Sequence, residues 1–185
     1  MRAAIIETAA RLMYQRGVRA TSLNDILEAT GSGKSQLYHY FAGRSELLAA
    51  VVEYQLQDIL GDQASYELDT WKGLRAWLDS LVARQQEQGF SGCPLGSLVA
   101  ELLTEDDRLR DTVAAAFAHW ESALQLALER MRETGRLGRS AQHAALARNL
   151  LAAIQGGYLL SSVHQDAHPM REALDAAYEQ LRAAR

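Results

Sequence analysis

An all-α fold is predicted by three observations. Apolar residues recur at three- and four-residue spacing through nearly the whole chain, no segment keeps the two-residue alternation of a half-buried strand, and recognisable capping residues stand at the ends of the periodic stretches. The chain has 185 residues, 48% of them hydrophobic, which suffices for one sizeable core or for a small module joined to a larger one. It contains no internal repeat, low-complexity tract or long Pro/Gly/Ser linker. Two units are therefore expected to be joined by a continuous helix, with domains at 1–47 and 48–185.

The first helix places Ile5, Ile6, Ala9, Leu12 and Met13 on one face and is expected to stop at Gly17 in a left-handed turn. The second opens at Thr21-Ser22, where Asp25 stands three residues after Ser22 as in a capping box, and buries Leu23, Ile26 and Leu27. Gly31-Ser32-Gly33 breaks it. A third short helix is expected from Lys34 to Phe41; it buries Leu37 and Phe41 and leaves Lys34, Ser35, Gln36 and His39 facing outward. A longer helix should run from Ser45 to about Gly61, with Leu47, Leu48, Val51 and Tyr54 inward. Further helices are expected near 69–88, 95–103, 105–134, 140–165 and 169–184. Thr104, Glu105, Asp106 and Asp107 read as a hydroxyl cap with acidic groups at a helix N-terminus, where the backbone dipole favours negative charge. The two prolines, Pro94 and Pro169, read as helix starts, where a missing N–H costs nothing.

The net charge of −4 at first argues against a polyanionic partner, since sequence-independent DNA binding draws on cations set against phosphates. Its distribution argues otherwise. Residues 1–47 hold Arg2, Arg11, Arg16, Arg19, Lys34 and Arg44 against Glu7, Asp25, Glu28 and Glu46, a net +2, which leaves −6 on the remainder. A mildly basic head on an acidic body suits a chain whose one end meets DNA. No apolar run approaches membrane-spanning length and no secretory leader is recognisable, so a soluble, cytoplasmic protein with no membrane partner is expected. The single cysteine, Cys93, excludes an internal disulfide and a Cys-rich zinc site, and the five histidines show no ligand spacing. No metal or cofactor is expected.

Two short helices separated by a glycine-bearing turn, the second with a polar outer face, form the helix-turn-helix that sets its second helix in the major groove. Here the sequence resembles a known family. Thr21-Ser22-Leu23-Asn24-Asp25-Ile26, followed by GSGKSQLYHYFAGRSELL at 31–48, is similar to the signature of the TetR repressors, with Leu37, Tyr38, Phe41, Arg44 and Glu46 at its defining positions. It departs from the usual pattern at Tyr40, where histidine is commoner, and at Arg44, where lysine is. Both replacements keep the capacity to bind phosphate, arginine with a bidentate geometry. The resemblance implies an N-terminal three-helix DNA-binding domain, a larger helical ligand-binding and dimerisation domain, and repression as the mode of action. Gly92-Cys93-Pro94-Leu95-Gly96 is similar to one subgroup of these repressors that includes regulators linked to multidrug export.

Chemistry divides the candidate DNA contacts into two groups. Thr21, Ser22, Tyr38, Tyr40 and Arg44 offer hydroxyl or guanidinium donors suited to positioning on phosphates. Lys34, Ser35, Gln36 and His39 are candidates for base edges, Gln36 for adenine in two places and Lys34 for guanine acceptors. The tyrosines have a second reading, as rings that only pad the small core. For a small apolar or aromatic effector, the candidate lining residues are Trp77, Phe90, Cys93, Phe117, Trp120, Tyr158 and His164, with Trp71 and His119 nearby in the pattern. An apolar band on the helix near 140–165 (Leu146, Leu150, Leu151, Ile154, Tyr158 and Leu159, with small Ala152, Ala153, Gly156 and Gly157) and a stripe near 169–184 (Met170, Leu174, Ala177, Tyr178 and Leu181) point to a four-helix homodimer interface.

Gly33-Lys34-Ser35 resembles the end of a phosphate-binding loop, but the position five residues before Gly33 is Glu28 rather than glycine, and a helix rather than a strand precedes it. Cys93 has no histidine near it in sequence, so a thiol nucleophile is not supported and no enzymatic activity is expected. Two alternatives stay open at this point: a thiol-based redox or electrophile sensor using Cys93, placed before a helix start, and a helical protein-interaction module without a DNA role.

Overall fold

A computed structural model of the chain describes residues 1–103 and 107–185. Among the described residues there are nine helices and no strand: α1 (Arg2–Arg16), α2 (Leu23–Thr30), α3 (Lys34–Tyr40), α4 (Arg44–Gln63), α5 (Trp71–Gln88), α6 (Gly96–Leu102), α7 (Asp107–Glu133), α8 (His143–His164) and α9 (His168–Ala183). The cap expected at Thr104-Glu105-Asp106 lies outside the described residues. The chain forms two compact units, one of Met1–Asp58 with Pro94–Phe117 and one of Ile59–Cys93 with Ala118–Arg185. As chain elements, α4 and α7 each contribute to both.

In the first unit α1 packs on α2, α3 and α6. Its core is the predicted periodic set: Ile5, Ala9 and Met13 from α1, Ile26 from α2, Leu37 and Phe41 around α3, and Leu47, Leu48 and Val51 from α4, all buried. The Arg2 guanidinium sits 5.3 Å from the centre of the Phe41 ring, a cation–π contact that covers the aromatic edge of this core. Four local expectations need correction. Gly17 does end α1, but at φ 92 and ψ 156 rather than in the left-handed helical turn; only glycine adopts that conformation without strain. α3 ends at Tyr40, and Phe41 is extended at φ −138 while its N–H still closes the helix on Leu37. Tyr54, expected inward, is 37% exposed, and Gln55 is buried next to it. Pro94 stands in the turn two residues before α6 rather than inside its first turn, whereas Pro169 does lie in the first turn of α9.

In the second unit the Thr70 hydroxyl caps α5 by accepting the Gly73 N–H at 3.0 Å. Arg75 of α5 bridges Asp79 of its own helix and Asp175 of α9, each at 2.6 Å. α8 and α9 form an extensive helix pair. Gly157 permits their close approach, because a Cβ there would stand 3.0 Å from the Met170 backbone. The apolar stripe expected at a dimer interface is therefore divided. Met170, Leu174, Ala177 and Leu181 of α9 are buried within the protomer, as are Leu146, Leu150, Leu151, Ile154 and Tyr158 of α8. α8 leaves Ala145, Arg148, Asn149 and His164 exposed towards its ends and, between these, Ala152, Leu159, Leu160 and Val163, with half-buried Gly156 among the latter. This latter set lies at positions i, i+4, i+7, i+8 and i+11, a single helical face.

Candidate nucleic-acid interface

The second helix of the motif is seated by its apolar side and open on its polar side. Leu37 is buried, while Lys34, Ser35, Gln36, Tyr38 and His39 are exposed, Tyr38 to 58%. This assigns Tyr38 to the surface, so its ring does not pad the core. Tyr40 is half-buried, with its ring edge-on to His39 at 4.9 Å. Between α2 and α3 lies a cleft of about 180 Å³ to which Ser22, Asn24, Lys34 and Tyr38 contribute. Asn24 was not singled out by sequence reasoning; an exposed amide in the first turn of α2 carries no signature of its own. The side chain of Gln36 turns back on its helix, and its Oε1 accepts the Gly33 N–H at 3.3 Å. The amide oxygen keeps a second lone pair beside that bond, and the Nε2 group is a donor, so the residue has both groups that a two-point pairing with a base edge uses.

The capping box at the start of α2 forms in full. The Asp25 N–H donates to Ser22 Oγ at 3.2 Å, while Asp25 Oδ2 accepts the Ser22 N–H at 2.7 Å and its hydroxyl at 2.5 Å. The hydroxyl and N–H of Ser22 favour the ionised carboxylate and hold the Asp25 pKa below the usual carboxyl value. Ser22 is exposed, and its oxygen retains room for a second partner.

Two candidate phosphate contacts have other employment. Thr21 is 0% exposed, and its hydroxyl donates to the Gly17 carbonyl at 2.8 Å, so it cannot reach a phosphate: it holds the turn between α1 and α2 from inside. Arg44 is half-buried and donates Nη1 to Thr21 O at 2.8 Å and Nη2 to Val18 O at 2.5 Å. Its guanidinium fork, read in the sequence as a phosphate clamp, here grips two backbone carbonyls. The opposite side of the same turn is held by Glu101 of α6, whose Oε1 accepts the Val18 N–H at 2.9 Å and whose Oε2 accepts the Arg19 N–H at 2.7 Å. Sequence reading passed over Glu101, since a single acid 83 residues from its partner leaves no local pattern.

The effector candidates do not assemble into one described cavity. Trp77, Cys93, Trp120 and Tyr158 are buried, Phe90 and Phe117 are half-buried, and His164 is exposed, which removes it from any enclosed site. Phe117 belongs to the first unit and the other six to the second. The Trp120 indole N–H is satisfied by Gln63 Oε1 at 3.0 Å. Cys93 Sγ lies 3.5 Å from Gln155 Nε2, and its burial shields the thiol from an incoming oxidant or electrophile. A cavity of about 500 Å³ in the second unit is lined instead by residues such as Gln63, Tyr66, Glu67, Leu126 and Arg130. No helix among the described residues is long and apolar enough to cross a membrane.

Comparison with known proteins agrees with this architecture. Residues 5–51 match the family described as bacterial regulatory proteins, tetR family, and residues 70–176 match that described as transcriptional regulator LmrA/YxaF-like, C-terminal domain. The chain is 30% identical over 176 residues to the HTH-type transcriptional regulator in the lacX 3′ region of Lactococcus lactis subsp. lactis, covering 92% of this chain and 88% of that one. It is 29% identical over 171 residues to the HTH-type transcriptional regulator LmrA of Bacillus subtilis (strain 168), covering 90% and 88% respectively. In fold it is similar to the regulatory protein TetR from Rhodobacter sphaeroides, with a TM-score of 0.83 at 19% identity and 96% of each chain covered. The helix-turn-helix at the N-terminus, the helical body that follows it and these relationships together mean that the chain belongs to the TetR family of DNA-binding transcriptional regulators.

Proposed function

We propose that the protein is a homodimeric repressor that reads a palindromic DNA operator with α3 and releases it when a small apolar or aromatic effector binds. The observation that carries this reading is the outer face of α3, where Lys34, Ser35, Gln36, Tyr38 and His39 are exposed on a helix anchored by buried Leu37. Lys34 and Gln36 are the side chains with discriminating hydrogen-bond patterns, and Ser22, Tyr38 and Tyr40 supply phosphate donors around them. Residues 1–47 form the recognition module and 48–185 the effector and dimerisation body. Such a regulator works in the cytoplasm, and its chemistry is binding rather than catalysis.

Dimerisation is supported by the α8 face that the protomer leaves open, on which Leu159 and Val163 are 64% and 68% exposed. Large aliphatic side chains at helical spacing lose their contact with water when a second copy packs on them. A two-fold dimer explains a palindromic site, because each subunit presents the same α3 to one half-site. α4 is one continuous helix from Arg44 to Gln63. An effector that favours one tilt of α4 changes the separation of the two α3 helices, and with it operator affinity. Selection of bound fragments from random duplex, followed by sequencing, tests the reading: inverted repeats with half-sites about one helical turn (~34 Å) apart, or a multiple of that, are expected. Recovery of no sequence preference would overturn it.

A further inference from the structure

The turn between α1 and α2, Gly17–Thr21, directly precedes Ser22, the cap of α2, and is gripped from two sides. Glu101 accepts the N–H groups of Val18 and Arg19 at 2.9 and 2.7 Å. Arg44 donates to the carbonyls of Val18 and Thr21 at 2.5 and 2.8 Å. Val18 is thus tied through its N–H to a carboxylate and through its C=O to a guanidinium. Gly17 makes room for the acid: a Cβ there would stand 3.1 Å from Glu101 Oε1, and the φ of 92 already favours glycine. Bonds to an ionised carboxylate or guanidinium are shorter and stronger than neutral ones, and a glycine-led turn without them has many conformations to lose on ordering.

We propose that Glu101 is a positioning residue for DNA binding, which acts with Arg44 as a clamp on the Gly17–Thr21 turn and so sets the seat of α2 and α3. The inference rests on the DNA-reading role proposed above for α3. Glu101 acts through the turn, since a carboxylate placed against phosphate would repel it. Arg44 stands at the start of α4, whose chain continues into the second unit, and Glu101 on α6, which lies within the first.

The test uses the full-length chain, the fragments recovered by selection and a random duplex of equal length, at a temperature where circular dichroism shows each variant folded. Glu101→Ala, which removes both charge-assisted hydrogen bonds to the turn, is expected to weaken both DNAs about tenfold or more, with the slope of log affinity against log salt unchanged because no phosphate contact is removed. Glu101→Gln, which keeps one acceptor, is expected between Glu101→Ala and wild type, and supplies the reading if Glu101→Ala does not fold. By linkage, bound DNA should slow exchange of the Val18 and Arg19 amides in the wild type more than in Glu101→Ala. The double variant Glu101→Ala with Arg44→Ala should bind no more weakly than the worse single variant, since two halves of one clamp are not additive. An acid that only stabilised the unit would lower the melting temperature and leave the affinity of folded protein as it was; that result, or strict additivity of the two substitutions, overturns the proposal. Failure of the α3 reading has a different signature: Lys34→Ala and Gln36→Ala would then leave operator affinity intact whatever Glu101 does.

Discussion

Helices α3 and α8 each keep one face that their own unit does not cover, and the two faces are chemical opposites. On α3 the open face is Lys34, Ser35, Gln36, Tyr38 and His39, rich in donors; on α8 it is aliphatic from Ala152 through Leu159 and Leu160 to Val163, with exposed Arg148 and Asn149 only in the turn before it. A donor-rich face loses little by staying in water and gains when it meets fixed acceptors such as phosphates and base edges. An aliphatic face gains by leaving water whatever its partner, so a second copy of itself suffices. Burial alone would call both helices half-exposed; the identity of the exposed half separates recognition of DNA from self-association.

The largest effect should come from breaking the aliphatic face. Leu159→Glu combined with Val163→Glu places four acids across a two-fold interface, and sedimentation at micromolar concentration should show monomer. Operator affinity should then fall by about a hundredfold or more, because the second half-site loses its effective concentration. A variant that stays dimeric and binds normally would move the interface off α8. Next in size is the polar face. Gln36→Ala should cost about 1–3 kcal/mol per half-site on the selected operator and leave random duplex nearly unchanged, read as the ratio of the two affinities. Equal loss on both DNAs would make Gln36 a cap for Gly33 rather than a base reader.

Arg44→Ala sharpens the contrast between a side chain that meets DNA and one that positions those that do. The loss of two guanidinium bonds to carbonyls should lower stability by about 2 kcal/mol in chemical denaturation, with the salt slope of DNA binding unchanged. A slope reduced by about one contact per subunit would instead give Arg44 a phosphate. The smallest effect belongs to the cap. Ser22→Ala should cost about 1 kcal/mol. The Asp25 pKa is lowered in the folded state, so its stabilising contribution is complete above the ordinary carboxyl value of 3.8 and is lost as pH falls through the depressed value. The difference in melting temperature between wild type and Ser22→Ala should accordingly shrink on acidification below that window; a constant difference would separate the cap from the Asp25 charge.

The helices and the recognition motif are legible in the residues alone, because they depend on interactions within three or four positions. The Ser22–Asp25 box, the Leu37–Phe41 spacing and the outward set Lys34, Ser35, Gln36 and His39 are all local consequences of helical periodicity, and the signature at 21–48 is contiguous. Tertiary structure decided which donors remain available and which apolar stripe remains uncovered. Thr21 and Arg44 carry the right groups for phosphate, yet the fold turns one inward and commits the other to backbone carbonyls. The stripe of α9 looks as sticky in sequence as that of α8, but packing within the protomer consumes it and leaves Leu159, Leu160 and Val163 in water. Glu101 became visible only when folding carried it to Val18, 83 residues away. Hydrogen-bond capacity and hydrophobicity are written in the residue; whether they are already spent depends on neighbours distant in the chain, and only the packed structure brings those together.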